Sequence, residues 1–305
     1  MKHVKAAAAQ LAPIYLNREA TLAKACDAIA EAGDAGADLI VFPETFLAGY
    51  PYFAITYDAT EIGAFVKRLR ENAVTVGDAA TDRLAKAAKS AGAMVAIGIN
   101  ELDGGTLYNS QLFLGPDGRV MGRRRKLVPT NHERMIWGRG DGADMQVFET
   151  DIGTVGALIC YEHGNALFRY AMQGQGEQIH IGMWPGGMGG LMDIIECSTR
   201  HYGFESQAFV VNATSILTPE ILEALGSGPS VSKLKPGFGC SMIVGPRGNV
   251  LAKARPDAEE IVYAELDFEA IDSAKQVVDS CGHYARPDVV RLQLDRTSHQ
   301  PLEIV

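Results

Sequence analysis

The sequence predicts an α/β protein of two similar halves, each a run of strands and helices closed by a hairpin, giving two sheets packed together with helices outside. Three observations predict it. Apolar runs of strand length alternate with stretches of helical period, the pattern of a layered α/β domain. Hydrophobic residues make up 47% of the 305 and charged residues 21%, enough to bury a large core and unlike a disordered chain. The chain also echoes itself. "LFLGPDGRVMGRR" at 112–124 returns as "MIVGPRGNVLAKA" at 242–254, "LIVFPET" as "IHIGMWPGG", and "VAIGINE" as "FVVNATS".

The elements follow in order. "KAAAAQLAP" at 5–13 reads as a strand, and the alanine-rich amphipathic stretch at 17–36 as a helix stopped by glycine. Leu39-Ile40-Val41-Phe42 is a buried strand that halts at Pro43 and delivers an acid, Glu44. A helix near 78–91 and a strand at 93–101 come next. The segment 112–124 is a hairpin around a Gly-Pro-x-Gly turn. Val155 to Ile159 form a strand that gives way to Cys160, with a helix from about Ala166. Strands at 179–187 and 209–215 and the second hairpin at 242–254 complete the echo. Two copies are too few for a solenoid, and no low-complexity linker divides the chain, so 1–305 reads as one domain.

Charge and cysteine usage exclude several classes. A net charge of −9 and a pI near 5.3 argue against a nucleic-acid binder. The one basic run, "GRRRK" at 122–126, reads as a solvated face rather than a phosphate site. No apolar stretch of membrane-spanning length and no signal peptide pattern is seen, so a cytoplasmic protein without a membrane partner is expected. Five cysteines, an odd number without a CxxC pair, and seven scattered histidines argue against a disulfide scaffold or a metal site; no cofactor is expected.

Three segments end a strand on a reactive side chain: Glu44, Lys126 before an extended Leu-Val-Pro, and Cys160. A thiol where a strand meets a helix faces free backbone N–H groups and a positive helix end, which stabilise a thiolate. On position alone, Cys160 reads equally well as a small buried hydrophobe. His163 is the near base, but three residues away at a turn it reads rather as a histidine bonding local backbone. A desolvated carboxylate can serve instead, and Glu44 stands at the end of an apolar strand. Lys126 would supply positive charge to a developing anion, with Glu133 holding it protonated and oriented. Cys26 and Cys240 read as packing residues with raised pKa, and Cys197 as a helical residue facing its neighbours.

"VFPETF", "KLVPTNHERMIWGRGDG", "LICYEHGNALFRYA" and "GHYARPDVV", in this order from residue 4 to about 290, resemble the nitrilase superfamily of carbon–nitrogen hydrolases. The resemblance implies a four-layer αββα sandwich and a Glu-Lys-Cys site: Glu44 as general base, Lys126 as electrostatic stabiliser, Cys160 as nucleophile and Glu133 as supporting acid. "Cys-Tyr-Glu-His" is similar to the pattern of the nitrilase branch, although Tyr161 stands where tryptophan is usual and Ala166 where proline is. The implied reaction is hydrolysis of a small nitrile to an acid and ammonia through a thioimidate and a thioester. Tyr52, Phe53, Tyr161, His163 and Trp184 lie near these motifs and are candidates to contact substrate. The rivals are an amidase of the same fold and a catalytically silent binding or assembly subunit. The resemblance also implies a homo-oligomer, a dimer or larger and in the extreme a spiral, with the apolar tail 282–305 at a subunit interface.

Overall fold

The computed structural model describes residues 3–298. Strand β1 (His3–Gln10) leads through helix α1 (Arg18–Asp34) to β2 (Leu39–Val41). Helices α2 (Phe53–Thr56), α3 (Gly63–Glu71) and α4 (Ala79–Ala91) precede strands β3 (Met94–Asp103), β4 (Thr106–Leu114) and β5 (Val120–Arg125). The second half runs β6 (Phe148–Thr150), β7 (Gly153–Ile159), α5 (Ala166–Gln173), β8 (Ile179–Trp184), α6 (Met192–Ser206) and β9 (Phe209–Thr214). It closes with α7 (Pro219–Leu225), β10 (Met242–Val244), β11 (Val250–Lys253), β12 (Glu260–Asp267) and α8 (Glu269–Lys275).

The strands form two six-stranded sheets, ordered β12-β1-β2-β3-β4-β5 and β11-β10-β9-β8-β7-β6. In the first, β1, β2 and β3 are parallel and β4 and β5 turn back antiparallel. The second repeats this with β7, β8 and β9 parallel, followed by β10 and β11. Each sheet is completed by an antiparallel strand, β12 on β1 and β6 on β7. Even the irregularities match: both hairpins slip register at the same place, between Phe113 and Leu114 and between Ile243 and Val244. The sequence echo is therefore a structural repeat.

Side-chain alternation separates the layers. Ala6, Ala8, Val41, Ala96 and Phe113 face Ala157, Ile181, Val211 and Ile243 of the other sheet in one buried cluster. From the opposite face of the first sheet, Ala7, Ala9, Ile40 and Val95 pack on Leu22, Ala25 and Ile29 of α1 and Leu84 and Ala88 of α4. Leu158, Val210 and Met242 do the same against Met172 of α5 and Ile195 and Tyr202 of α6. Helix, sheet, sheet and helix follow in turn, so the expected four-layer sandwich is observed. Helix α1 is capped by Asn17, whose side chain accepts from the Ala20 N–H, and α4 by Asp78, which accepts from Ala80 and Thr81. No helix among the described residues is long and apolar enough to cross a membrane.

Two expectations are corrected. The basic run is not solvated: Arg124 and Lys126 are buried, because alternate residues here point between the sheets and meet carboxylates there. Cys197 lies on α6, as expected, but on its exposed side. Residues 282–290 are largely exposed, with Tyr284, Val289 and Val290 open to solvent; the end of the expected interface tail, 299–305, lies outside the described residues.

Asp78 caps α4 and accepts from Arg18 Nη1 at 3.3 Å, tying the two helices of one outer layer. Replacing it with alanine is expected to cost about 1 kcal/mol. The check is thermal unfolding, where the midpoint should fall by about 2 °C.

Candidate active site

Three chain segments meet at one end of the sandwich, each immediately beyond a strand. The first leaves β2, where the Phe42 N–H still donates to Ala96 O at 2.8 Å before Pro43 ends the pairing. This loop lies directly on β3 at Gly98, where a Cβ would fall 2.2 Å from Pro43 O and 2.3 Å from Thr45 N. Only glycine permits that approach. Glu44 is thereby pressed into the interior, 2% exposed. Its Oε1 accepts from Asn109 Nδ2 of β4 at 2.6 Å and from Lys126 Nζ at 3.0 Å. Its Oε2 is buried and has no partner among the described residues.

The second segment follows β5. The Lys126 N–H donates to Asn109 O at 2.8 Å, continuing the β4–β5 pairing by one residue and aiming the side chain inward. The buried ammonium donates to Glu133 Oε2 at 2.7 Å and Oε1 at 3.0 Å. Glu133 is itself held in a capping box with Thr130, whose N–H it accepts at 2.6 Å, and by Tyr50 Oη at 2.9 Å. The third segment leaves β7. Cys160, 2% exposed, opens a short 3-10 turn through Gly164. Thr45, Asn131 and Cys160 all have positive φ (47°, 47° and 52°), so each of the three segments carries a left-handed residue, as is common where side chains are forced into reactive positions.

Oxygens of Glu44 and Glu133 and the Cys160 sulfur lie within 4.8 Å of one another. A thiol and two carboxylates so close could hold a metal ion, but both acids already face the Lys126 ammonium, a built-in cation. Burial raises the Glu44 carboxyl to about 7, against the opposing pull of Lys126. Burial also disfavours the charge on Lys126, yet Cys160, Glu44 and Glu133 together push its pKa up, so it stays protonated. The Cys160 thiol is pushed well up by burial, which Lys126 and the Tyr161 N–H only partly oppose. This corrects the expectation of a thiolate stabilised by a helix end: α5 starts only at Ala166, and desolvation dominates. The thiol therefore rests neutral and needs a base.

Of the five further candidates, Tyr52, Tyr161, His163 and Trp184 stand by this group, while Phe53 packs in a separate aromatic cluster. Tyr52 is buried, its Oη donates to Gly186 O at 2.8 Å, and its phenol feels the Glu44 charge. Phe53 stacks on Phe65 at 5.1 Å as part of a buried aromatic cluster. Trp184 is fully buried, with its ring stacked on His163 at 5.3 Å and 5.9 Å from that of Tyr161. Tyr161 is the exposed one, at 39%. His163 bonds the local backbone, its Nδ1 to Cys160 O at 2.8 Å, and its Nε2 meets His180, so neither nitrogen is left for the thiol.

Sequence reasoning passed over Asn109, Tyr50, Arg124 and Glu162. Glu162 Oε2 accepts from Arg124 Nη1 at 2.7 Å and the Ile159 N–H at 2.7 Å, and Oε1 from Arg124 Nη2 at 3.0 Å and the Leu127 N–H at 2.8 Å. Those two amides flank Cys160 and Lys126. Burial alone would raise the Glu162 pKa, but Arg124 and the two N–H groups hold it below the usual carboxylate range. The available signal was an acid two residues after the cysteine and an arginine two before the lysine, in a run too basic to be chance decoration.

Glu162→Gln leaves the Arg124 guanidinium buried and unpaired. It is expected to cost about 3–5 kcal/mol in urea unfolding, and Arg124→Met together with Glu162→Gln should cost less than the sum of the two single changes.

The carbon-nitrogen hydrolase family model matches residues 5–276. A protein named Nitrilase 3, from an unknown prokaryotic organism, is 43% identical over 98% of this chain and 92% of its own length. An aliphatic nitrilase of Rhodococcus rhodochrous is 39% identical over 98% of this chain and 84% of its own. Among solved structures, a carbon-nitrogen hydrolase from Helicobacter pylori G27 superposes with a TM-score of 0.76 at 20% identity, covering 94% of this chain and 97% of that one. An amidase from Nesterenkonia sp. shares the fold with a TM-score of 0.67 at 18% identity, over 88% and 92% of the two chains.

Proposed function

The chain belongs to the carbon–nitrogen hydrolase family, and we propose that it is a nitrilase, converting an organic nitrile and two waters into a carboxylic acid and ammonia. The observation that carries the chemistry is the buried Glu44 carboxyl beside the Cys160 thiol, raised by burial to about 7 and with its Oε2 bonded to nothing among the described residues. A base with that pKa can take a proton from sulfur and return it to nitrogen near neutral pH. The choice of nitrile over amide rests on the relatives, named nitrilases at 36–43% identity over nearly the whole chain.

In this reading Glu44 takes the Cys160 proton as sulfur adds to the nitrile carbon, and passes it to the nitrile nitrogen to leave a thioimidate. A water deprotonated by Glu44 adds to the same carbon. Glu44 returns that proton to nitrogen, then takes the hydroxyl proton of the adduct as the C=O bond forms and gives it to the departing nitrogen, so the C–N bond breaks, ammonia leaves and a thioester remains. A second water cleaves it to the acid and restores the thiol. Lys126 keeps its proton throughout and, with the Tyr161 N–H, faces the negative charge of the adducts. Glu133 holds the lysine in place. Removing one such preorganised donor typically costs roughly 3–4 kcal/mol of transition-state stabilisation. The same groups would serve an amidase, so a matched nitrile and amide should be compared directly. An intact Glu44, Lys126, Glu133 and Cys160 set disfavours a silent subunit.

We read residues 1–305 as one cytoplasmic domain that acts as a homodimer or larger assembly, with 282–305 meeting a second copy. Tyr284, Val289 and Val290, each at least two-thirds exposed, support an apolar contact there. Light scattering should give a mass above 32.7 kDa; a monomer at micromolar concentration sinks this assembly.

Glu44→Gln keeps the shape but cannot take a proton, so kcat should fall about a hundredfold or more. Acid-quenched turnover should place an acyl or imidoyl adduct on Cys160, and an adduct on any other cysteine overturns the assignment. The working form of Glu44 is the carboxylate and its pKa is raised. Hence kcat/KM should be full above about 7 and fall as the pH drops through it.

A further inference from the structure

Behind the nucleophile lies a buried chain of polar side chains that the reaction above does not use. Glu177, just before β8, His180 on β8, Tyr202 on α6 and His163 in the turn after Cys160 are all buried. Tyr202 Oη donates to Glu177 Oε1. Glu177 Oε2 lies 2.9 Å from His180 Nδ1, His180 Nε2 lies 3.1 Å from His163 Nε2, and His163 Nδ1 lies 2.8 Å from Cys160 O. Packing locks the rings, since His180 stacks on Tyr202 with centroids 3.6 Å apart and His163 stacks on Trp184.

The last link orders all the others. A backbone carbonyl can only accept, so His163 Nδ1 carries a proton and donates it. The neutral His163 ring then accepts at Nε2, which requires His180 to donate from its own Nε2. His163 is kept neutral by burial, which lowers its pKa to about 3. Burial likewise raises Glu177 to about 8 and holds His180 well below its ordinary value, so this pair rests uncharged, with a protonated Glu177 donating to His180 Nδ1. Every bond in the chain then has one donor and one acceptor, all pointing toward Cys160.

The carbonyl so held belongs to the peptide unit whose N–H is that of Tyr161. In a planar trans peptide the two point in opposite directions, so fixing the oxygen fixes the hydrogen. That N–H favours charge on the Cys160 sulfur, opposing the rise that burial imposes on the thiol. A carbonyl that accepts a hydrogen bond also makes its own N–H a stronger donor. We propose that Glu177, His180 and His163 form a positioning relay that clamps the Cys160–Tyr161 peptide, holding its N–H on the reacting sulfur and on the adducts formed there. The relay also secures the left-handed φ of 52° at Cys160, a conformation a cysteine does not favour unaided. The proposal rests on Cys160 as the nucleophile and gives the three relay residues a positioning role, exerted through the peptide and not through contact with substrate.

The test pairs two readouts on folded variants checked by circular dichroism: nitrile hydrolysis, and the rate at which iodoacetamide alkylates Cys160, which needs no nitrile. His163→Leu should slow alkylation and lower kcat by roughly 10- to 100-fold with little change in KM. His163→Asn, which keeps an N–H near the position of Nδ1, should recover most of that loss. At the far end, Glu177→Gln can still donate to His180 and should stay close to the parent, whereas Glu177→Met should not. Parent-like alkylation in His163→Leu, or equal losses in His163→Asn and His163→Leu, overturns the relay. Should His163→Leu not fold, the Glu177 pair decides, and equal behaviour of Gln and Met there overturns it too. A parent protein that alkylates but hydrolyses no nitrile sinks the nitrilase reading, while the alkylation arms still decide the relay.

Discussion

The carboxylate of Glu162 is the fixed point of the site. It fills its acceptor positions with the two ends of one guanidinium and with two backbone N–H groups, one from the end of β7 and one from the segment after β5. Ile159 belongs to the strand that carries the sulfur, and Leu127 to the segment that carries the ammonium. The separation of Cys160 and Lys126 is thus governed by a group that touches neither. A pair of apolar residues could replace a buried ion pair without loss of stability in many proteins. Here it could not, because no apolar side chain accepts two peptide N–H groups across the seam of a sandwich.

The charge balance inside the site follows from the same burial. In its working form the Glu44 carboxylate stands beside the Lys126 ammonium in a buried space, with the thiol neutral. Moving the proton from sulfur to Glu44 shifts that charge by a few ångströms without adding another. Ionising the thiol into solvent would instead create a second buried anion. Desolvation raises both the thiol and the carboxyl, so the burial that keeps the thiol protonated also makes Glu44 a stronger base for it.

Local signals carried most of the fold and the centre of the site. Strand ends at Pro43 and Cys160, the helix that Asp78 begins, and the twofold echo all depend on residues adjacent in sequence, and all stand where expected. What escaped depends on partners far along the chain. "GRRRK" looks like a solvated face until Arg124 is seen against Glu162, 38 residues on. Helices α2 and α3 lie in a stretch whose packing is set by α7 and the loop after it, so no clear period announces them. The Cys160 position was legible but its ionisation was not, because burial depth is a property of the whole sandwich. The histidine chain needs Tyr202 and Glu177 brought together by α6 and β8.

The repeat itself has an asymmetric use. Phe42-Pro43-Glu44 leaves β2 as Trp184-Pro185-Gly186 leaves β8, yet where one copy offers an acid the other offers only a carbonyl, which receives Tyr52. The acid and the cation come from one half and the sulfur from the other. Neither half is a smaller enzyme, because each alone lacks part of the Glu44, Lys126 and Cys160 set. A substitution on a face turned toward the helices is felt within its own half, whereas one at the seam where the strand ends meet is felt by both.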